Sequence, residues 1–139
     1  QNLKGNTVTQ QELDGWIGEG VIEYLGETAD VRPFIAVADS VVLPSYREGT
    51  SNILLEASSM ERPCITCDTT GCREIVADGE TGYLCKVADA KDLADKMAAM
   101  ANLPEAVRQS MGKKAREKVS SEYNKQMVVD AYIRAIERV

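Results

Sequence analysis

The sequence predicts a parallel α/β fold followed by a block of helices, and three observations carry the prediction. Short apolar runs of strand type, Val21–Leu25, Ser40–Pro44, Cys64–Cys67 and Tyr83–Val87, alternate with helix-type segments through residue 87. Glycine, proline or a capping residue separates one segment from the next. Beyond Asp89 the apolar positions recur at spacings of three and four, the period of helices that bury one stripe. Strand and helix in alternation pack as right-handed βαβ units on a parallel sheet.

The elements follow in order. Thr9-Gln-Gln-Glu12 has the form of a capping box and opens a short helix that ends near Gly18-Glu19-Gly20. Val21–Leu25 reads as a strand closed by Gly26, and Asp30 as the cap of a helix from Val31 to Ala38, with Pro33 tolerated in its first turn. Ser40–Pro44 is an apolar run of the kind buried on both faces of a parallel sheet. A helix from Asn52 to about Met60 stops at Arg62-Pro63, where the strand Cys64–Cys67 begins. Thr70-Gly71 is a turn, Cys72–Ala77 a short helix, and Asp78-Gly-Glu-Thr-Gly82 a strong turn before the short strand Tyr83–Val87. Leu93, Met97 and Met100 mark one helix stripe. Pro104 opens a helix bearing Val107, Met111 and Ala115, and Asn124 precedes a third with Val128, Val129, Tyr132, Ile133 and Ile136. The sheet has few strands for a doubly wound domain, which normally has five or six.

Bulk properties narrow the function. The 139 residues suffice for one domain or most of one. A net charge of −6, no basic run and few aromatics argue against nucleic acid as a partner. No apolar stretch approaches the roughly 20 residues of a membrane span. The chain begins with Gln rather than Met, as an excised piece of a longer protein would. Four cysteines, at 64, 67, 72 and 85, accompany no histidine. Cys64 and Cys67 have metal-site spacing, but a strand points positions three apart to opposite faces, and the other two lack paired spacing. They read as small, reduced core side chains, and no metal is expected.

The candidate site is Glu48-Gly-Thr-Ser-Asn-Ile-Leu-Leu-Glu56, in which two carboxylates eight positions apart flank a loop and a helix start directly after a strand. A strand end leading to a helix N-terminus is where α/β proteins hold phosphate. Gly49, Thr50 and Ser51 allow close backbone approach. Carboxylates suit polyols because their oxygens accept hydrogen bonds from hydroxyls. Glu48 could therefore hold a sugar and Glu56 a ribose diol, with a diphosphate between them. Alternatively Glu56 is solvated or paired with Arg62. A hydrolase pair is conceivable, but nothing identifies an acid with a raised pKa.

Six elements in order resemble the C-terminal, donor-binding half of GT-B glycosyltransferases, in particular glycosyltransferase family 4 (group 1). They are Glu23-Tyr-Leu-Gly26, Ala38-Asp-Ser-Val-Val-Leu-Pro-Ser45, Glu48 to Ala57, Arg62-Pro-Cys-Ile65, Gly71-Cys-Arg-Glu-Ile-Val76 and Asp78-Gly-Glu-Thr-Gly82, followed by Met111-Gly112 and the final helices. Asp30-Val-Arg-Pro33 and Pro44-Ser-Tyr-Arg-Glu-Gly-Thr50 look most like bacterial enzymes of capsular, O-antigen or lipid-linked oligosaccharide synthesis. Some of those transfer galactose or N-acetylgalactosamine.

The resemblance implies a Rossmann-like parallel sheet forming part of a GT-B C-terminal domain. Residues 1–88 would supply βα units and 89–139 the C-terminal helices, with an N-terminal acceptor domain absent. It implies retaining transfer of a hexose or N-acetylhexosamine from a nucleotide-sugar, expected to be a UDP-sugar, to a saccharide or lipid-linked acceptor, without a metal. Glu48 would contact the donor sugar and Glu56 the ribose, with Gly49, Thr50, Ser51 and Asn52 facing sugar and diphosphate and Ile53 and Leu54 nearby. Arg47, beside Glu48, and Arg73, at a strand end, are further cations, Arg47 better suited to a surface ion pair than to phosphate, and Tyr24 and Leu25 are weaker candidate contacts to the base. Ser51 and Asn52 stand where related enzymes carry Pro and Arg. The family's upstream Arg and Lys and its histidine have no counterpart, so the fragment alone is expected to be inactive. The implied location is cytoplasmic, with peripheral contact at the inner membrane face. Rival readings are a stand-alone nucleotide-sugar-binding or self-associating module and a fragment of a sugar-nucleotide epimerase.

Overall fold

A computed structural model describes residues 8–45, 51–123 and 133. The chain divides into two compact units, residues 1–30 and 31–139.

In the first unit, α1 (Gln10–Gly18) begins with the expected capping box. The Thr9 hydroxyl accepts from the Glu12 N–H at 3.1 Å, and the Glu12 carboxylate accepts from the Thr9 N–H at 2.9 Å. Gly20, at φ 73°, turns the chain out of the helix. The strand expected over Val21–Leu25 does not form. Val21, Ile22, Tyr24 and Leu25 are all exposed. A strand exists only through a ladder to a neighbour, and among the described residues this segment has none.

The second unit holds a parallel sheet in the order β1 (Val41–Leu43), β2 (Cys64–Cys67), β3 (Gly82–Cys85). Val42, Ile65 and Tyr83 stand in register, as do Leu43, Thr66 and Leu84. Alternation along each strand therefore sorts side chains onto two faces. On one, Val41, Leu43, Cys64 and Leu84 pack with Leu54, Ala57, Ile75, Val76 and Val119. On the other, Val42, Ile65 and Tyr83 pack with Leu93, Met100, Leu103 and Met111. Thr66, the polar exception within β2, donates its hydroxyl to the Leu43 carbonyl at 2.8 Å, which offsets the cost of burying it.

Helices cover both faces. On the first lie α2 (Arg32–Val37) and α3 (Asn52–Ser59); α4 (Ala90–Asn102) packs on β2 and β3, and α5 (Glu105–Glu122) packs on α3 and β3. The cap of α2 falls on Val31 rather than Asp30, without a side-chain hydrogen bond. Cys72–Ala77 is a succession of turns rather than a helix: the Cys72 and Arg73 amides both donate to the Thr69 carbonyl. Of the two helix stripes, Met100, Met111 and Ala115 are buried, whereas Met97 and Val107 remain about half exposed, at 46 % each. The helix expected after Asn124 lies outside the described residues apart from Ile133, which is helical.

Two close approaches, one between β2 and β3 and one between α3 and α5, leave no room for a side chain. Gly82 is packed so tightly that a Cβ there would lie 1.9 Å from the Cys64 carbonyl oxygen. At the end of α3 the Arg62 N–H bonds the Ala57 carbonyl and the Glu61 N–H bonds that of Ser58, the two bonds of a Schellman motif. Glu61 takes the left-handed position at φ 61°, and a Cβ on Gly112 of α5 would lie 2.0 Å from its carbonyl oxygen. No helix among the described residues is long and apolar enough to cross a membrane.

Candidate functional site

Because all three strands run parallel, their carboxyl ends gather at one edge of the sheet, where α/β proteins place ligands. The chain leaves β1 through Pro44 and Ser45, and α3, capped by Ser51, is the next described element, starting from this edge. Ser51 is the N-cap: its hydroxyl accepts from the Leu54 N–H at 3.4 Å, and its carbonyl accepts from Leu55. Among the described residues the amides of Asn52 and Ile53 have no acceptor. They make the positive end of the helix available to an anion.

Asn52 and Glu56 are one turn apart and both exposed, so they share the open face of α3. Leu54, Ala57 and Ser58 face the core. Ser51 is 4 % exposed and its hydroxyl is committed to the cap. Leu54 is fully buried, which leaves only its backbone for a ligand, and Ile53 is half-buried against the same cluster. The suggested pairing of Glu56 with Arg62 does not occur. Arg62 instead donates to the carbonyls of Ile35 (3.2 Å), Met60 (3.2 Å) and Ala36 (2.8 Å), tying the ends of α2 and α3 together. Among the described residues Glu56 has no ion-pair partner.

Arg73 sits beyond the end of β2, where its guanidinium meets the Asp68 carboxylate at 3.3 Å and the Asp68 carbonyl at 3.2 Å. The pair is more than half exposed, a surface bridge of little energetic weight. Thr69, beside it, keeps its hydroxyl buried without a hydrogen-bond partner among the described residues. Tyr24 and Leu25 are exposed in the first unit and end no strand. Arg47, Glu48, Gly49 and Thr50 lie outside the described residues.

The structure adds a cleft that the motifs did not mark. A cavity of about 260 Å³ at the same edge is lined by Pro44 and Ser45 after β1, Cys67 of β2, Cys85 and Lys86 of β3, and the start of α4 with Leu93. Its signal in the sequence was only that each lining segment ends or follows a strand. All four cysteines are buried, free thiols, and Cys64 and Cys67 do face opposite sides of the sheet, one in the core and one in this cleft. Burial pushes the Cys64 thiol up to about 12, with the nearby Ser58 side chain acting in the opposite direction, and the thiol donates to the Arg62 carbonyl at 3.6 Å. Among the described residues no group of three or more metal-binding side chains occurs.

Residues 4–102 match the family described as glycosyl transferases group 1. The chain is 32 % identical over 82 % of its length to N-acetyl-alpha-D-glucosaminyl L-malate synthase of Bacillus anthracis, of which it covers 30 %. It is 29 % identical over 91 % of its length to the capsular polysaccharide biosynthesis glycosyltransferase CapM of Staphylococcus aureus, covering 36 % of it. Its fold matches that of S. aureus TarM, a structure solved with UDP, fondaparinux and alpha-GlcNAc-glycerol. The TM-score is 0.82 at 22 % identity, over 92 % of this chain and 27 % of that one. The chain spans about a third of the length of these curated relatives. With its parallel sheet and two helical layers, it is similar to part of the Rossmann-like domain of GT-B proteins. On the extent of the family match, this chain belongs to the group 1 glycosyl transferases.

Proposed function

We propose that the intact protein is a retaining glycosyltransferase, and that this chain supplies part of its donor site. The donor is a nucleotide-sugar, by preference a UDP-sugar, and the transferred unit a hexose or N-acetylhexosamine. The acceptor is a saccharide or a lipid-linked saccharide, and no metal is required. The observation that carries the reading is the start of α3: unpaired Asn52 and Ile53 amides beside an exposed Glu56 without an ion partner among the described residues. The amides would face the diphosphate, whose negative charge grows as the sugar departs. Glu56 would accept hydrogen bonds from the ribose diol, and Glu48 would do the same for the sugar. The buried Thr69 hydroxyl, unpartnered among the described residues, supports a polar ligand at this edge.

Similarity to a capsular polysaccharide glycosyltransferase and to an N-acetyl-alpha-D-glucosaminyl L-malate synthase supports a transferase. The acceptor domain and the family's basic diphosphate-binding residues would come from the rest of the intact protein. Calorimetry on that protein tests the reading. Glu56→Gln keeps size and helix propensity but loses the charge, so UDP affinity should fall about tenfold, roughly 1.4 kcal/mol. Unchanged affinity would remove Glu56 from the ribose site.

A further inference from the structure

Among the four cysteines, Cys67 and Cys85 stand directly opposite each other in the β2–β3 register, with their sulfurs 3.8 Å apart. Both line the carboxyl-end cleft together with Ser45 and Lys86. Cys64 faces the other side of the sheet, within the core it shares with Cys72. We propose that Cys67 and Cys85 form a dithiol that small disulfides convert into an intramolecular disulfide at the floor of this cleft.

The geometry permits the bond. Neighbouring strands lie about 4.8 Å apart, and disulfides span Cα separations of roughly 4.4–6.8 Å. Closing the sulfurs from 3.8 Å to about 2.05 Å takes side-chain rotation and a small approach of strand ends already joined, where the Asp68 N–H donates to the Cys85 carbonyl at 2.8 Å. The cleft is the path by which a small reagent reaches these two residues, which expose 4 % and 2 % of their surface.

The chemistry balances in two exchanges. One cysteine, as thiolate, attacks a sulfur of the external disulfide, forming a mixed disulfide and expelling one thiolate, which takes up a proton. The second cysteine loses its proton and attacks the sulfur of the first, and the second external thiol leaves. Two protein thiols have then been oxidised by two electrons and one external disulfide reduced to two thiols. Burial, and then the adjoining Cys67 thiol, push Cys85 up to about 11, so closure is slow at neutral pH and speeds up in alkali.

The test exposes the folded full chain to hydroxyethyl disulfide at pH 7.5 and 9. Remaining thiols are alkylated in denaturant, and peptides are mapped by mass spectrometry. The expected product joins Cys67 to Cys85, with Cys64 and Cys72 alkylated, and forms at least tenfold faster at pH 9. In Cys85→Ala the reaction should stop at a mixed disulfide on Cys67. The proposal is overturned if wild type retains a stable mixed disulfide, if Cys64 or Cys72 appears in linked peptides, or if neither protein takes up the reagent.

Discussion

Replacing Gly112 by Ala tests the contact that seats α5 against α3, the helix carrying Glu56. The added Cβ would lie 2.0 Å from the Glu61 carbonyl oxygen, whereas ordinary contact starts at 3.4 Å. Both partners are fixed to backbone, so no rotamer change relieves the clash. Glu61 is itself held at φ 61° by the Schellman closure of α3. Helix α5 must therefore retreat by about 1.4 Å, loosening the packing of Ala115 and Val119, which are 1 % and 3 % exposed. Overpacking of this kind costs up to about 3 kcal/mol, and the better helix propensity of Ala returns about 1 kcal/mol. The net loss is about 2 kcal/mol, a fall in Tm of roughly 7 °C for a chain of this size. Thermal and urea denaturation of the full chain measure it. Gly15→Ala in α1 is the control, because a Cβ there meets nothing within 4 Å and the propensity gain should show alone. A Gly112→Ala protein as stable as wild type would refute the tight α3–α5 approach.

Three further outcomes follow from the same contacts. Ser51→Ala removes the buried cap of α3 and should cost about 1 kcal/mol in urea unfolding, with Ser51→Gly milder. Arg62→Lys leaves one ammonium where a guanidinium served three carbonyls, so the midpoint should drop by an amount equivalent to about 1–2 kcal/mol; no change would mean those bonds are dispensable. Alkali should unfold the protein. Cys64 rises from 9.0 to about 12 in the fold, so from pH 9 to 12 the folded chain binds more protons than the unfolded one. The stability tied to Cys64 is complete below pH 9 and should fall by about 1.4 kcal/mol per pH unit above it. Urea midpoints from pH 8 to 11 give the total slope, and Cys64→Ala should remove about half of it, leaving the part due to Cys85 and, at the alkaline end, Tyr123, which shift the same way.

Where a local rule and a tertiary contact agreed, the sequence was readable. Thr9 and Glu12 satisfy each other within one turn, so their pattern was sufficient. Cys64–Cys67 reads as a strand from its short apolar run after Arg62-Pro63, and it forms one, buried between two others. Val21–Leu25 carries the same apolar signal but finds no ladder among the described residues. Propensity cannot supply the missing partner. Cys72–Ala77 resembled a helix, but the segment forms turns anchored on the Thr69 carbonyl, which the Cys72 and Arg73 amides share.

The candidate site divides in the same way. Sequence alone located the strand end, the helix start at Asn52 and the two carboxylates, because composition and order encode them directly. Part of that segment, Arg47 to Thr50, lies outside the described residues. Tertiary structure decided which side chains remain available. Arg62 is withdrawn to the carbonyls of α2 and α3, Ser51 to its cap and Leu54 to the core, while Glu56 stays open. It also brought Cys67 and Cys85, eighteen positions apart, into one cleft. Sequence states what each residue can do, but parallel strand register determines which distant residues share an edge, and packing determines which of their atoms are still free.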